Sequence, residues 1–360
     1  MLPCAYVNKN IEAQLNKLFC VLLFFEGEKM DYIRFGSTGM KVSKLCFGTM
    51  MFAMKSGWRN YALGKDEAKI VFKEALDSGI NFFDTADIYS NGSCEEVTGE
   101  LLNSMSNRDE IVLATKVYNP MGTGPNMKGL SRKYIMNAID SSLKRLKMNY
   151  VDLYIIHRWD YETSIEETME ALHDVVKSGK TRYIGASSMY AWELAKAQET
   201  AKINGWTQFV SMQNHYNLIY REEEREMIPL CIHDGLAITP WSPLARGFLA
   251  GNRYKKGGGD TARAKNDDLA DNYYYTDADF ETLDVLLELS KEIERYPVEI
   301  ALSWLSNKQG ITCPVVGPGT KQQLQGLLNS LTLKLSEEQI LRLEKPYKAK
   351  NISGHVAYSI

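Results

Sequence analysis

The chain has 360 residues, 24% charged side chains and a formal net charge of −3. That length can bury a large core, and the balanced charge leaves no basic surplus for nucleic acid and no charge run for an interaction tail. Six cysteines lie far apart with no C-x-x-C or zinc-type spacing, which points to reduced thiols in a cytoplasmic protein.

Residues 1–29 stand apart. Their apolar run, 18–25, is too short to span a bilayer and lacks a small-x-small cleavage site, so a disordered or loosely helical extension is expected. Residues 30–42, with turn signals at Gly36 and Gly39, predict a small hairpin able to plug the bottom of a barrel. Strands are then expected at 44–49, 80–84, 111–115, 151–156, 181–185, 209–212, 236–240 and 311–316, mostly as continuous apolar runs suited to burial on both faces. Amphipathic helices are expected between them, for example over 66–76, 131–146 and 165–176, with Gly79 and Gly179 as stop signals. Residues 244–279 break this rhythm with Gly257-Gly258-Gly259 and Tyr273-Tyr274-Tyr275, and predict a long lid-like loop after the seventh strand. A last short helix over 336–346 and a surface tail complete the chain. Eight strands alternating with helices predict one (β/α)8 TIM barrel over 30–347, with 348–360 as a C-terminal tail.

Four ionisable residues fall at or just past the ends of predicted strands: Asp84, Tyr89, Lys116 and His157. In such a barrel these ends open on one face, where active sites are built. Carbonyl reduction needs a proton donor where negative charge develops on oxygen, and tyrosine, with an ordinary pKa near 10, is a weak acid at neutral pH. A neighbouring lysine cation stabilises its phenolate, a carboxylate keeps the lysine charged, and a histidine can donate to the substrate oxygen. Taken singly, Asp84 could cap a helix, Lys116 could be an exposed lysine and His157 a satisfied polar residue. Their joint position at the ends of three successive strands favours catalysis.

These residues sit in Phe83-Asp84-Thr85-Ala86-Asp87-Ile88-Tyr89, Ala114-Thr115-Lys116 and Val151-Asp152-Leu153-Tyr154-Ile155-Ile156-His157-Arg158. Three more motifs follow in order: Tyr183-Ile184-Gly185-Ala186-Ser187-Ser188, Gln213-Asn214-His215-Tyr216-Asn217 and Trp241-Ser242-Pro243-Leu244-Ala245-Arg246-Gly247. From about Met30 to Tyr347 the chain resembles the aldo-keto reductases, in their aryl-alcohol-dehydrogenase-like branch. The resemblance implies Asp84, Tyr89, Lys116 and His157 as the catalytic tetrad of an oxidoreductase interconverting aldehydes or ketones with alcohols.

It also implies a nicotinamide cofactor bound without a Rossmann domain, and no G-x-G-x-x-G follows any predicted strand. By this resemblance Ser187 and Gln213, with Ser188 beside them, meet the carboxamide, and Trp241 stacks on the nicotinamide. Ser242, Pro243, Leu244, Arg246 and Gly247 form the pyrophosphate loop. The stretch Gly317, Gly319, Thr320, Lys321, together with Gln323, meets the adenosine phosphate. The chain departs from the family pattern at Gly319, where NADP-preferring members carry arginine, and at Gly326-Leu327, where Glu-Asn is usual. Lys321 and the helix N-terminus remain to attract a 2′-phosphate, so NADP is expected over NAD by about one decade, or 1.4 kcal/mol.

Trp58, Trp159 and Tyr254 are the expected pocket walls for an apolar small-molecule substrate. A cofactor-binding sensor with slow turnover is the alternative from another class. A metal-dependent hydrolase is disfavoured, because the five histidines show no ligand spacing and H-E-x-x-H is absent.

Overall fold

The computed structural model describes residues 30–53, 62–253, 259, 261–265 and 267–356. The predicted 1–29 extension, Trp58, Tyr254, Cys4 and Cys20 lie outside the described residues. Strands β1 (Tyr32–Arg34) and β2 (Lys41–Ser43) form an antiparallel hairpin. An eight-stranded parallel sheet follows: β3 (Cys46–Gly48), β4 (Phe82–Asp84), β5 (Val112–Val117), β6 (Val151–Ile156), β7 (Thr181–Ser187), β8 (Phe209–Gln213), β9 (Ala237–Ile238) and β10 (Val315–Val316). Strand β10 pairs with β3. The last gap is bridged by Thr312 N donating to Ile238 O and Val315 N to Pro240 O, each at 2.9 Å, so the barrel closes.

Helices α1 (Lys65–Asp77), α2 (Ser93–Met105), α3 (Arg132–Leu146), α4 (Ile165–Lys177), α5 (Ala191–Asn204) and α6 (Met227–Asp234) follow β3 to β8 in turn. The expected boundaries hold to within a few residues for the helices that start at 65, 132 and 165. Gly79 and Gly179 stop their helices at φ +83° and +77°, a backbone that costs glycine nothing. Ser131 and Ser164 cap helix starts by accepting from Tyr134 N and Glu167 N.

Two expectations change in the second half. The supposed loop over 244–279 carries single-turn helices α7 (Ala262–Lys265) and α8 (Asp268–Asp271), and ends in helix α9 (Asp277–Glu292), whose Thr276 and Asp279 form a capping box. The strand expected at 311–316 shrinks to two residues. Pro314 has no N–H to give a ladder, and the amides of Thr312 and Cys313 share one carbonyl, Ile238 O, which interrupts regular pairing. Helices α10 (Pro297–Ser306), α11 (Lys321–Asn329) and α12 (Glu337–Glu344) complete the wall. Among the described residues no helix is long and apolar enough to cross a membrane.

Side-chain alternation along the strands sorts two cores. Outward residues such as Phe47, Phe83, Leu113, Tyr154 and Ile184 meet the helices, while Cys46, Phe82, Val112, Ala114, Leu153 and Ile155 fill the barrel axis. The hairpin closes the lower end of that axis: Phe35 packs edge-on to Phe82, with ring centroids 5.5 Å apart. Gly36, at φ +58°, lets the plug sit close; a Cβ there would lie 2.6 Å from Gly235 O.

Candidate active site

The same alternation delivers the site. Asp84 lies two residues beyond Phe82, Lys116 two beyond Ala114, and His157 two beyond Ile155, so all three continue inward rows of the barrel. Ser187 and Gln213 end β7 and β8 directly opposite one another. Tyr89 begins a turn after β4 whose next residues, Ser90 and Asn91, adopt φ +50° and +52°.

Lys116 is wholly buried. Its ammonium donates to Asp84 Oδ2 at 2.5 Å, to Thr85 O at 2.9 Å and to Tyr89 OH at 3.4 Å. The other Asp84 oxygen accepts from Gln213 Nε2 at 2.9 Å. Burial would lower the Lys116 pKa, but Asp84 and Tyr89 outweigh it and raise the pKa above its ordinary value. For Tyr89 burial is the larger influence and raises the phenol; Lys116 pulls down and Asp84 pushes up. The net rise differs from the depression expected of a lysine-flanked tyrosine. Asp84, 2.5 Å from the ammonium, cancels much of its field, so the phenol stays protonated at neutral pH. Burial, helped by Arg158 and Lys116, holds His157 neutral, well below the usual imidazole range.

These groups line one end of a cavity of about 1140 Å³. That exceeds the usual volume of a small-ligand pocket and leaves room for a dinucleotide with a small partner. Ser187, Gln213 and Trp241 form its middle. Ser242, Pro243, Leu244, Arg246 and Gly247 follow, then Gly317, Gly319, Thr320 and Gln323 at the start of α11. Ser242, Arg246 and Gly247 take φ of +53°, +57° and +93°, turning backbone amides in the manner of an anion-binding nest. Gly317 and Gly319 let the opposite wall come near; a Cβ on Gly319 would lie 3.1 Å from Leu63 Cδ1.

Several expected residues sit elsewhere. Ser188 lies behind the cavity wall, accepting from Trp241 Nε1 at 2.9 Å. Lys321 does not line the cavity: its ammonium pairs with Glu74 Oε2 of α1 at 2.6 Å. Trp159 is only 4% exposed and packs in the shell between strands and helices, not in the pocket. An apolar side chain just past a strand end can turn to either core, and this one turns outward. Arg246 lines the cavity, but Asp267 clasps its guanidinium at 2.7–2.9 Å and also binds Arg263 Nε at 3.0 Å. Burial would raise Asp267, yet the two arginines hold its pKa below the ordinary value.

Other residues at the site went unnoticed in the sequence. Asn119, three positions past Lys116, places Nδ2 3.0 Å from His157 Nδ1. His215 stacks behind Trp241, centroids 4.2 Å apart and planes 11° apart, with Tyr220 stacked in turn on His215 at 4.0 Å. Arg253, Arg263 and Tyr273 also line the cavity. Only His215 lay within a motif whose neighbours were already assigned. The C-terminal tail, expected on the surface, docks here: Ser353 Oγ lies 3.1 Å from His215 Nδ1, and a Cβ on Gly354 would lie 2.7 Å from Trp241 Cζ2.

A buried lysine–carboxylate pair behind a tyrosine, at the mouth of a closed barrel, agrees with what the sequence resembles at the family level. Residues 44–348 match the family model described as the aldo/keto reductase family. The chain belongs to the aldo/keto reductase family. It is 40% identical over 344 residues to versiconal hemiacetal acetate reductase of Aspergillus parasiticus, covering 90% of this chain and 98% of that protein. A putative aryl-alcohol dehydrogenase of Schizosaccharomyces pombe is 39% identical over 345 residues, covering 89% and 97%. Another, of Saccharomyces cerevisiae, is 37% identical over 340 residues, covering 88% and 96%. As an aldo/keto reductase the chain is an oxidoreductase acting between carbonyls and alcohols. The four described cysteines, Cys46, Cys94, Cys231 and Cys313, are buried free thiols.

Proposed function

We propose that this aldo/keto reductase reduces aldehydes or ketones with NADPH, with Tyr89 as the proton donor. The observation that carries the reading is the buried chain Gln213–Asp84–Lys116–Tyr89, which ends on the cavity wall beside His157. The residues present fit a dinucleotide. Gln213 and Ser187 offer amide and hydroxyl groups for a carboxamide, Trp241 offers one ring face to the cavity, and the amides after β9 and at the start of α11 suit phosphates. When bound, the nicotinamide supplies the hydride.

The chain's own residues do the rest. Tyr89 holds its proton at neutral pH, and an alkoxide forming beside it is far the stronger base, so transfer from the phenol is downhill. Lys116 stabilises the phenolate left behind, and Asp84 keeps Lys116 charged and aimed. His157 lies edge-on to Tyr89 with ring centroids 5.8 Å apart, placed to hydrogen-bond the same substrate oxygen. In the reverse reaction the phenolate takes the proton from the alcohol.

Arg158, Arg246, Arg253 and Arg263 line the cavity with the carboxylates Asp84 and Glu299. Although Asp267 pairs with Arg246 and Arg263, the small cationic excess that remains supports NADPH over NADH. The aromatic walls Trp241, Tyr273 and Tyr89, together with the names of the relatives, support aryl aldehydes as the substrate class. A cytoplasmic location fits the free thiols. The test is steady-state reduction of aromatic, aliphatic and sugar aldehydes with each cofactor, alongside Tyr89→Phe. We expect multiple turnovers, fastest with an aryl aldehyde and NADPH, and a loss of about 10²–10⁴ in kcat for Tyr89→Phe with cofactor affinity retained. A Tyr89→Phe enzyme with undiminished kcat overturns the assignment. Oxidation of a single equivalent of cofactor would mark a sensor instead.

A further inference from the structure

His157 carries two ring nitrogens, and only one can face a substrate. Nδ1 lies 3.0 Å from Asn119 Nδ2. Among the described residues Nε2 has no protein partner, while His157 lines the cavity. The amide nitrogen of asparagine is a donor and never an acceptor, so the nitrogen facing it must be bare. A neutral imidazole with a bare Nδ1 carries its proton on Nε2. From this geometry we propose that Asn119 is a positioning residue that fixes the Nε2–H tautomer of His157 and presents it as a donor to a carbonyl oxygen.

Asn119 is itself held. Its backbone carbonyl accepts from Tyr134 OH of α3 at 2.9 Å, and Tyr134 is 3% exposed. Gly129 N donates to Tyr118 O at 2.7 Å, closing the loop that contains it. Tyr118 takes φ +151°, a turn out of β5 that brings the next residue back over His157. The His157 backbone is pinned as well, its N–H donating to Val117 O at 2.8 Å.

The tautomer matters because the ring stays neutral. The charged groups facing it are Arg158 and Lys116, both cations, with the Tyr89 ring edge-on. Burial first, and then these two cations, oppose an imidazolium, which would offer N–H on both sides without any help from Asn119. A neutral ring of the other tautomer would point a lone pair at the substrate oxygen and repel it. The catalytic part of this inference rests on the proposed role of His157 as a donor to that oxygen.

The test uses the full chain labelled with ¹⁵N-histidine, with His157 signals assigned by their absence from His157→Gln. Long-range proton–nitrogen spectra report the tautomer without any turnover. In the wild type we expect Nε2 protonated and Nδ1 bare. In Asn119→Asp the carboxylate accepts from Nδ1–H, so the neutral ring switches tautomer and the imidazole titrates at higher pH. Its kcat should then fall about tenfold or more as pH rises through that titration, because the imidazolium still donates from Nε2 and the neutral ring does not. The wild-type kcat should show no such limb. Asn119→Leu should give a mixture of tautomers at unchanged cofactor affinity. A wild-type ring protonated on Nδ1, or one tautomer common to all three proteins, overturns the proposal. A tautomer that switches in Asn119→Asp without any change in kcat upholds control by Asn119 and rejects His157 as the donor.

Discussion

Lys116→Met separates stability from chemistry at the centre of the site. The Lys116 and Asp84 side chains are 0% and 2% exposed, and their ion pair is 2.5 Å long. Removing one partner of such a pair typically costs about 3–5 kcal/mol, because the other charge stays buried without compensation. Here Asp84 would keep only Gln213 Nε2, and Thr85 O would lose its donor. At roughly 2–4 °C per kcal/mol for mid-sized domains, and less for larger ones, a loss of several degrees in Tm is expected. Turnover should fall by about 10²–10⁴, since no cation remains at the phenolate. The double variant Asp84→Asn/Lys116→Met removes both charges and leaves two neutral groups of similar size. It should recover most of the lost Tm and none of the lost turnover. Calorimetry and steady-state kinetics on wild type, both single variants and the double variant close the cycle. The reasoning is refuted if the double variant melts no higher than Lys116→Met, or if it turns over at near the wild-type rate.

Two further perturbations test other parts of the structure. Asp87 is buried with one oxygen accepting from Ile88 N and the other without a partner among the described residues. Burial, and then Glu95, push its pKa from 3.8 to about 8. The folded state therefore binds this proton more tightly than the unfolded chain, and its stabilising effect, complete below pH 4, is lost as pH rises to 8. Asp87→Asn should match wild-type stability near pH 4 and exceed it increasingly up to pH 8, by at most roughly 5–6 kcal/mol; urea titrations showing a pH-independent difference would falsify this. Lys321→Ala should lose only the exposed pair with Glu74, about 0–1 kcal/mol of stability, and leave the ratio of KM values for NADPH and NADH unchanged. A selective rise for NADPH would place that ammonium on the ribose phosphate.

Much of this was legible in the chain. Apolar runs with Asp84, Lys116 and His157 at or just past their C-terminal ends disclosed the barrel and pointed to its mouth, because parallel strands buried on both faces read as near-continuous apolar runs. What stayed hidden depends on contacts distant in sequence. The Glu74 carboxylate that diverts Lys321 lies 247 positions earlier, on a helix packed alongside α11 only in the folded barrel. The choice between inner and outer core at Trp159 follows from how the chain leaves β6, which composition does not encode. The Tyr89 shift also had the wrong expected sign. The sequence displayed the lysine that lowers it, whereas desolvation and the short contact between Asp84 and Lys116 exist only after packing.

The dry surroundings of Lys116 come from the bottom of the barrel. The inward rows rise from the Phe35 plug through Phe82, Val112 and Leu153 to Ala114 and Ile155, and only then reach the charged layer. Those apolar side chains, with the hairpin beneath them, exclude water from the axis directly under Lys116. The same exclusion strengthens the Lys116–Asp84 attraction, while burial at the cavity wall keeps the Tyr89 proton in place and holds His157 neutral. A one-residue slip in any of β4, β5 or β6 would turn its functional side chain outward and bring an outward neighbour such as Phe83 onto the axis. Register and reactivity are therefore one constraint: the alternation that packs the lower layers also selects which ionisable groups meet in the dry layer above them.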